Sequence, residues 1–350
     1  MSGHEWLVYG AYGYTGRLIV AEAVRRGLRP ILAGRDVEKL EAMAAEHGLP
    51  YRAFVLEEPE AVRNGLNEIG TVLHCAGPFS TTCAPMLEAC LAVGAHYLDI
   101  TGEIGVFAHC HAQHERAQRA GIVVLPGAGF DVVPTDCLAA QLKRELPAAD
   151  SLVLAFEAGG GPSPGTARTS IEGMGQGGRV RIGGELRRVP LAWKRRSFEW
   201  DGERRHAVTI PWGDVYTAYV STGIPNIEVY MAVPPATIAR LRRMRWLRPL
   251  LGLAPVQAWL KRRVDRSVRG PSQQGRARSG CRIWGEARTP DGTLCARRLL
   301  TPNGYELTAT AALGIVERLQ RAPAPAAGFA TPSRLMGADY VLTLPGVERF

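Results

Sequence analysis

The 350-residue sequence predicts an α/β fold: a doubly wound parallel sheet followed by a second, α+β domain. Three observations carry that expectation. Six short apolar runs recur through the first 130 residues at the spacing of βα units. Helix-like segments separate them, most closed by a glycine. After Pro134 the alternation stops, and short alternating segments containing Trp, Tyr and Val replace it.

The apolar runs are Trp6–Tyr9, Pro30–Ala33, Tyr51–Phe54, Val72–Cys75, His96–Leu98 and Ile122–Leu125. Strands covered by helices on both faces read as continuous apolar stretches, as these do. Between them Tyr14–Arg26, Val37–His47, Glu58–Asn64, Ala84–Val93 and Gly105–Ala120 read as helices. Gly27, Gly48, Gly65, Gly94 and Gly121 follow at positions suited to helix C-caps. Beyond Pro134 a helix is expected over Thr135–Leu146 and a strand over Leu152–Glu157. A glycine-dense stretch, Gly159–Gly184, then leads into antiparallel strands reaching Tyr230. Arg240–Arg269 reads as one or two basic helices. Strands near Arg276–Arg288 and Leu294–Leu300, a helix over Tyr305–Arg321 and a Pro/Ala/Gly-rich tail closing with Tyr340–Leu344 complete the chain. The expected division is 1–130 for the parallel domain, 131–322 for an α+β substrate and dimerisation domain, and 323–350 for a tail returning to the first domain.

Composition excludes several classes. Hydrophobic residues at 46% and charged residues at 21% sit at the globular average, against wholesale disorder. The apolar stretch Pro249–Leu260 is shorter than the roughly 20 residues a bilayer span needs. A strand-like run beginning by Glu5 leaves no room for a signal peptide. Seven cysteines, an odd number with no C-x-x-C pair, read as reduced thiols in a cytoplasmic protein and as neither a disulfide frame nor a zinc site. The formal charge of +9 favours anionic partners.

Gly10-Ala11-Tyr12-Gly13-Tyr14-Thr15-Gly16 follows the first predicted strand and opens the first predicted helix. Gly10 permits a tight turn, Gly13 lets backbone approach a pyrophosphate, and Gly16 lets the helix pack on the strand. The helix N-terminus adds N–H groups and a partial positive charge. The loop is thus a G-x-x-G-x-x-G variant of the Rossmann dinucleotide fingerprint. At the end of the second strand Arg35 stands where NAD(H) enzymes place an acid, so NADP(H) is favoured over NAD(H), the guanidinium clamping a 2′-phosphate. Asp36 serves best as an N-cap. The fourth strand ends in Cys75-Ala76-Gly77-Pro78-Phe79, a small-residue turn expected to border the nicotinamide ribose. Cys75 reads as a packed thiol, with no basic neighbour to lower its pKa. No Tyr-x-x-x-Lys pair of the short-chain dehydrogenase kind is present.

These segments together resemble the saccharopine dehydrogenase-like oxidoreductases, a family that includes trans-acting enoyl reductases serving polyketide synthases. The resemblance rests on Tyr9–Gly16, Ala33–Arg35, Cys75–Phe79, His96–Glu103 and Gly127–Asp136. Gly165-Thr166, Ser170 and the tail Gly328–Ser333 add to it. It covers most of residues 5–175 and returns at the C-terminus. It implies reduction of a C=C (enoyl) or C=N bond in an acyl or amino-acid-derived compound, an acyl-thioester or other small molecule.

Proton transfer or substrate positioning falls to Asp99 and Glu103 after the fifth strand and to Asp131 and Asp136 after the sixth, with Tyr97 or Thr101 as hydroxyl donors. Asp99 and Asp131 also suit plain turn or helix capping. His109, His111 and His114 read as a solvated helix face, not a metal site. The Thr166–Ser170 segment, with Arg168, offers a second helix N-terminus for a substrate anion or a simple loop. Ten Lys/Arg against one acid, Asp265, in Arg240–Arg269 account for the whole excess charge, with Trp246, Leu250, Leu251 and Trp259 interleaved. That composition suits peripheral docking to an anionic membrane or an acidic carrier protein, or a packed helix pair with a solvated basic face; nucleic acid is not expected. A homo-oligomer is expected. The alternative to an enzyme is a non-catalytic NADP-binding sensor or membrane-associated scaffold.

Overall fold

The computed structural model describes residues 5–174, 177–247 and 253–350. The chain begins β1 (Glu5–Tyr9), α1 (Tyr14–Arg25), β2 (Ile31–Gly34), α2 (Val37–His47), β3 (Tyr51–Ala53) and α3 (Pro59–Gly65). It continues β4 (Ile69–His74), α4 (Phe79–Val93), β5 (His96–Asp99), α5 (Ile104–Ala112), α6 (His114–Ala120) and β6 (Val123–Leu125). Then come α7 (Val133–Glu145), β7 (Ser151–Ala158), α8 (Pro164–Met174), β8 (Gly178–Ile182), β9 (Glu185–Val189), β10 (Arg195–Trp200) and β11 (Glu203–Thr209). α9 (Asp214–Thr222), β12 (Asn226–Ala232), α10 (Pro235–Met244), α11 (Ala254–Ser267) and α12 (Gln273–Ala277) follow. β13 (Cys281–Arg288), β14 (Leu294–Thr301), α13 (Gly304–Leu319), β15 (Gly328–Phe329), α14 (Pro332–Met336) and β16 (Glu348–Arg349) end it.

Two compact units result: residues 1–133 with 305–337, and residues 134–304 with 338–350. The sequence alone predicts boundaries at 130 and 322, whereas residues 305–322 join the first unit and 338–350 the second.

The first unit is a seven-stranded parallel sheet ordered β15-β6-β5-β4-β1-β2-β3. Strand order reverses between β1 and β4, the point at which open α/β sheets receive ligands beyond the carboxyl ends of their strands. Leu7, Val8, Leu32, Val72, Leu73, Leu98 and Val124 are fully buried on this sheet, each contributing about 1.5–3 kcal/mol. β15 extends the sheet by pairing Gly328 and Phe329 with Val123 and Val124.

The second unit is a mixed sheet ordered β10-β11-β12-β7-β13-β14-β16, parallel only where β12 meets β7, with β8 pairing both β12 and β9. The fold is therefore α/β with a second α+β domain. Among the described residues no helix is long and apolar enough to cross a membrane.

Local expectations fail in three places. Residues 214–222, rich in Val, Tyr and Thr, form α9 rather than a strand, because Val215, Thr217 and Ala218 bury one helical face and Gly223 closes it at φ 70°; packing overrides β propensity. Residues 105–120 form two helices, broken at Gln113. Gly65 is inside α3, not beyond it: a Cβ there would lie 2.4 Å from the Phe54 ring. In the tail, for which the sequence predicts no regular element at this point, Tyr340–Thr343 forms a 3₁₀ turn.

Candidate functional site

The β1–α1 loop is built as a cradle. Gly10 and Ala11 both donate to Ala33 O on β2 (2.8 and 3.2 Å), and Gly13 N folds back to Gly10 O at 3.0 Å. Gly10 has φ 81°, and a Cβ there would lie 2.9 Å from Ala76 Cβ. A Cβ on Gly16 would lie 2.3 Å from Gly10 O and 2.7 Å from Ala11 O. Gly13 precedes α1 with extended backbone and no side-chain cap, so the start of the helix is presented to whatever sits beyond the loop. Tyr14, Thr15 and Gly16 form its first turn, and Tyr14 meets Tyr305 edge-on at 4.9 Å. A cradle that any side chain would fill, at the head of a helix and at the strand reversal, fits a dinucleotide pyrophosphate.

At the end of β2, Asp36 is spent on the helix it opens. Its carboxylate accepts from Lys39 N at 3.2 Å and pairs with Lys39 Nζ, and these contacts hold it below the usual carboxylate range. Arg35 is exposed beside it. Tyr12 lays its ring across Gly34, whose Cβ would lie 2.6 Å from Tyr12 Cε1, and Lys39 Nζ stands 5.6 Å from the ring centroid. The strand end therefore offers a cation and an aromatic face, with the neighbouring acid already paired.

The β4 end carries Cys75, Ala76, Gly77, Pro78 and Phe79, with a cis bond between Gly77 and Pro78. Cys75 N donates to Tyr9 O at 2.8 Å, holding this turn against the first loop. Burial and the Asp99 carboxylate push the Cys75 thiol up, as befits a packed group. Glu103 then does something its position in sequence does not announce: its two carboxylate oxygens accept from Phe79 N (3.0 Å) and Ser80 N (2.9 Å), the first N–H groups of α4. It caps a helix in place of Pro78, whose ring supplies no acceptor.

His74, not singled out in the sequence, is enclosed by the rings of Tyr9, Phe79 and Tyr97. The Thr82 hydroxyl donates to Ala76 O at 2.7 Å, so His74 Nε2 donates to Thr82 at 2.9 Å. Burial lowers its pKa to about 3 and keeps the ring neutral. Nothing in the spacing of its aromatic neighbours signals this.

The other candidate carboxylates differ sharply from Glu103 and from one another. Asp99 is fully buried and accepts from Tyr97 OH (2.8 Å), Thr101 N (2.9 Å) and Gly127 N (2.9 Å), tying the β5 end to the β6 end. Burial raises its pKa to about 6 against those donors. Thr101 is likewise engaged, accepting from Glu103 N. Asp131 packs its carboxyl against Gly102, where a Cβ would lie 2.9 Å from Oδ2. Burial, and after it the negative charge of Glu103, raise its pKa to about 7. Glu103 is fixed by the helix N–H donors of α4, whereas burial raises the neighbouring Asp131 carboxyl above the usual carboxylate range. Asp136 belongs to the second unit, where it is fully buried and accepts from Ser221 Oγ.

The remaining expected groups serve structure. His114 Nδ1 accepts from Phe329 N at 3.0 Å and His111 stacks on Phe329 at 4.5 Å, so these histidines clasp β15 instead of facing solvent. Cys83, Asp99 and Cys110 bring donor atoms within 4.8 Å. The Asp99 oxygens are already taken, and burial pushes the Cys110 thiol well up. Ser163 Oγ accepts from Thr166 N at 3.2 Å, so α8 caps its own N-terminus. In the basic segment Arg248, Leu250 and Leu251 lie outside the described residues, as does the side chain of Asp265.

Residues 6–125 match the family profile described as the saccharopine dehydrogenase NADP binding domain. A probable mitochondrial saccharopine dehydrogenase-like oxidoreductase of Arabidopsis thaliana is 29% identical over 150 residues, 38% of this chain and 33% of its own. The saccharopine dehydrogenase-like oxidoreductase of Mus musculus is 26% identical over 223 residues, 55% of this chain and 52% of its own. A trans-acting enoyl reductase of Mycobacterium leprae is 28% identical over 148 residues, 40% of this chain and 35% of its own. The matches thus span a third to about half of these relatives. The apo saccharopine dehydrogenase (L-Glu forming) of Saccharomyces cerevisiae superposes with a TM-score of 0.67 at 12% identity, over 99% of this chain and 100% of that one. At that identity the likeness is one of fold.

Proposed function

We propose that this chain, whose N-terminal third is a saccharopine dehydrogenase NADP-binding domain, is an NADP(H)-dependent oxidoreductase that reduces a C=C (enoyl) or C=N bond of an acyl or amino-acid-derived substrate. The observation that carries the cofactor half is the β2 end: Arg35 is exposed while Asp36 is consumed by Lys39. A ribose 2′-hydroxyl would lack the acid that NAD(H) sites supply, and a 2′-phosphate would meet a guanidinium.

Bound NADP(H) supplies the hydride. The chain's own work is orientation and proton supply. Gly10, Ala11, Tyr12, Gly13 and the first turn of α1 receive the pyrophosphate. Cys75–Phe79 border the nicotinamide ribose, held in place by Glu103. Asp131, with a pKa near 7, gives or takes the proton that accompanies hydride transfer. Asp99 is a positioning residue that joins the loops after β5 and β6.

Titration of NADPH and NADH by cofactor fluorescence, on wild type and Arg35→Ala side by side, tests the reading. Loss of one charge-assisted contact predicts NADPH binding about 10- to 100-fold weaker in the variant, with NADH unchanged. Equal effects on both cofactors, or failure of NADPH to bind wild type, would overturn it. Oxidation of NADPH is then screened against enal, imine and enoyl-thioester substrates. Binding with no turnover on any of them would favour a sensor or scaffold.

A further inference from the structure

The second unit carries a surface that the oxidoreductase reading does not use. α10, the 3₁₀ turn Arg245–Leu247 and α11 present large apolar side chains directly to water: Trp246 is 89% exposed and Trp259 57% exposed, with Leu253 also exposed. Indole is among the costliest groups to leave hydrated, and single exposed residues need no explanation, but here three lie on one short stretch of chain. The same helices are rich in arginine. Arg240, Arg242, Arg243, Arg262, Arg263 and Arg266 are exposed, and among the described residues no carboxylate pairs with them. Arg263 lies over the Trp259 ring at 5.8 Å.

The rest of this region is anchored inward. Gln257 donates to Ile171 O at 3.0 Å and Lys261 pairs with Glu172 at 2.5 Å, fixing α11 on α8. Arg245 gives its guanidinium to the carbonyls of Leu191 and Ala192. Hence α11 has an inner side, held to α8 through Gln257 and Lys261, and an outer side that carries Trp259, Arg262, Arg263 and Arg266 at helical spacing, with nothing described against it; Arg245 likewise ties down the turn that leaves Trp246 exposed. Packing of the helix pair on its own sheet therefore does not account for the outer side.

We propose that this outer side is a peripheral membrane-docking surface that selects anionic lipid. Arginine supplies attraction to phosphate headgroups, and indole settles at the boundary between headgroups and acyl chains, where its N–H stays wet and its ring does not. Neither feature alone would choose this occupant. An acidic protein would be met by the arginines but would leave two indoles without an apolar counterpart, and a neutral apolar partner would leave the cations unmatched.

The test is co-sedimentation of the full chain with vesicles of phosphatidylcholine alone and of phosphatidylcholine with 30% phosphatidylserine. Binding should be at least about tenfold stronger to the anionic vesicles and should weaken by about tenfold or more between 0.05 and 0.5 M salt. Trp246→Ser with Trp259→Ser should lower partitioning about tenfold or more while NADPH binding, which reports an intact fold, is unchanged. Equal binding to both vesicles, no binding at low salt, or full binding by the double tryptophan variant would overturn the proposal. So would a wild-type oligomer that the tryptophan variant dissolves in sedimentation velocity, or a carrier protein that binds this face where anionic vesicles do not.

Discussion

Replacing Asp131 by Asn should make the protein more stable at alkaline pH and no different at acidic pH. The folded chain holds this carboxyl at about 7 against an ordinary 3.8. Between those values the native state keeps a proton that the unfolded chain has released, so native stability falls as pH rises through the interval. The penalty is absent below about pH 4 and complete above about pH 7. A separation of that size corresponds to about 4 kcal/mol as a ceiling. Because Asp131 is only partly buried in the folded chain, solvent screening reduces the expected gain for Asp131→Asn at pH 8 to about 2 kcal/mol. Asp99, raised to about 6, gives wild type and variant alike a second, smaller decline between about pH 4 and 6. Urea unfolding at half-unit steps from pH 4 to 9 measures both curves. They should coincide at pH 4 and separate progressively toward pH 8. A gap already present at pH 4, or none at pH 8, would refute the assignment of Asp131 as the group that titrates near neutrality. With a substrate in hand, the same variant should lose about 10²- to 10⁴-fold in kcat.

Three further outcomes follow from the same geometry. Glu103→Gln removes the like charge beside Asp131, so the stability decline should move to lower pH; an unmoved decline would mean that burial alone sets it. Gly16→Ala drives a methyl group into Gly10 O and Ala11 O, and should cost about 1–3 kcal/mol and lower NADPH affinity by a factor of about 100, read by thermal melts and cofactor fluorescence. Asp36→Ala should lose a helix cap and melt slightly earlier yet leave NADH affinity within about twofold, whereas a ribose-binding acid would lose far more.

Much of the first unit is readable from sequence because its strands are buried on both faces and its loop glycines have stereochemical duties. Leu7, Val8, Leu32 and Leu73 announce strands through continuous apolarity, and Gly10 and Gly16 mark places where no Cβ fits. The pairing of β15 is not readable: two residues carry no periodicity, and their partner β6 lies some 200 positions away. The helix α9 is hidden for a different reason, since Val, Tyr and Thr favour strands until burial of one face decides otherwise. Within the site, sequence brings Asp99, Glu103 and Asp131 to the same sheet edge but cannot rank them. That ranking depends on which backbone N–H groups each carboxylate meets, and these come from loops far apart in the chain.

The first unit is assembled from two stretches of chain, 1–133 and 305–337, separated by the whole interior of the second. During synthesis the ribosome must therefore emit about 170 intervening residues before α13 and β15 exist, and until then β6 is an open edge with unpaired N–H and C=O groups. Nascent chains stalled near residue 133 should accordingly be prone to capture by chaperones or by one another. A genetic fusion of 1–133 to 305–337 would give β6 its neighbour without the second unit.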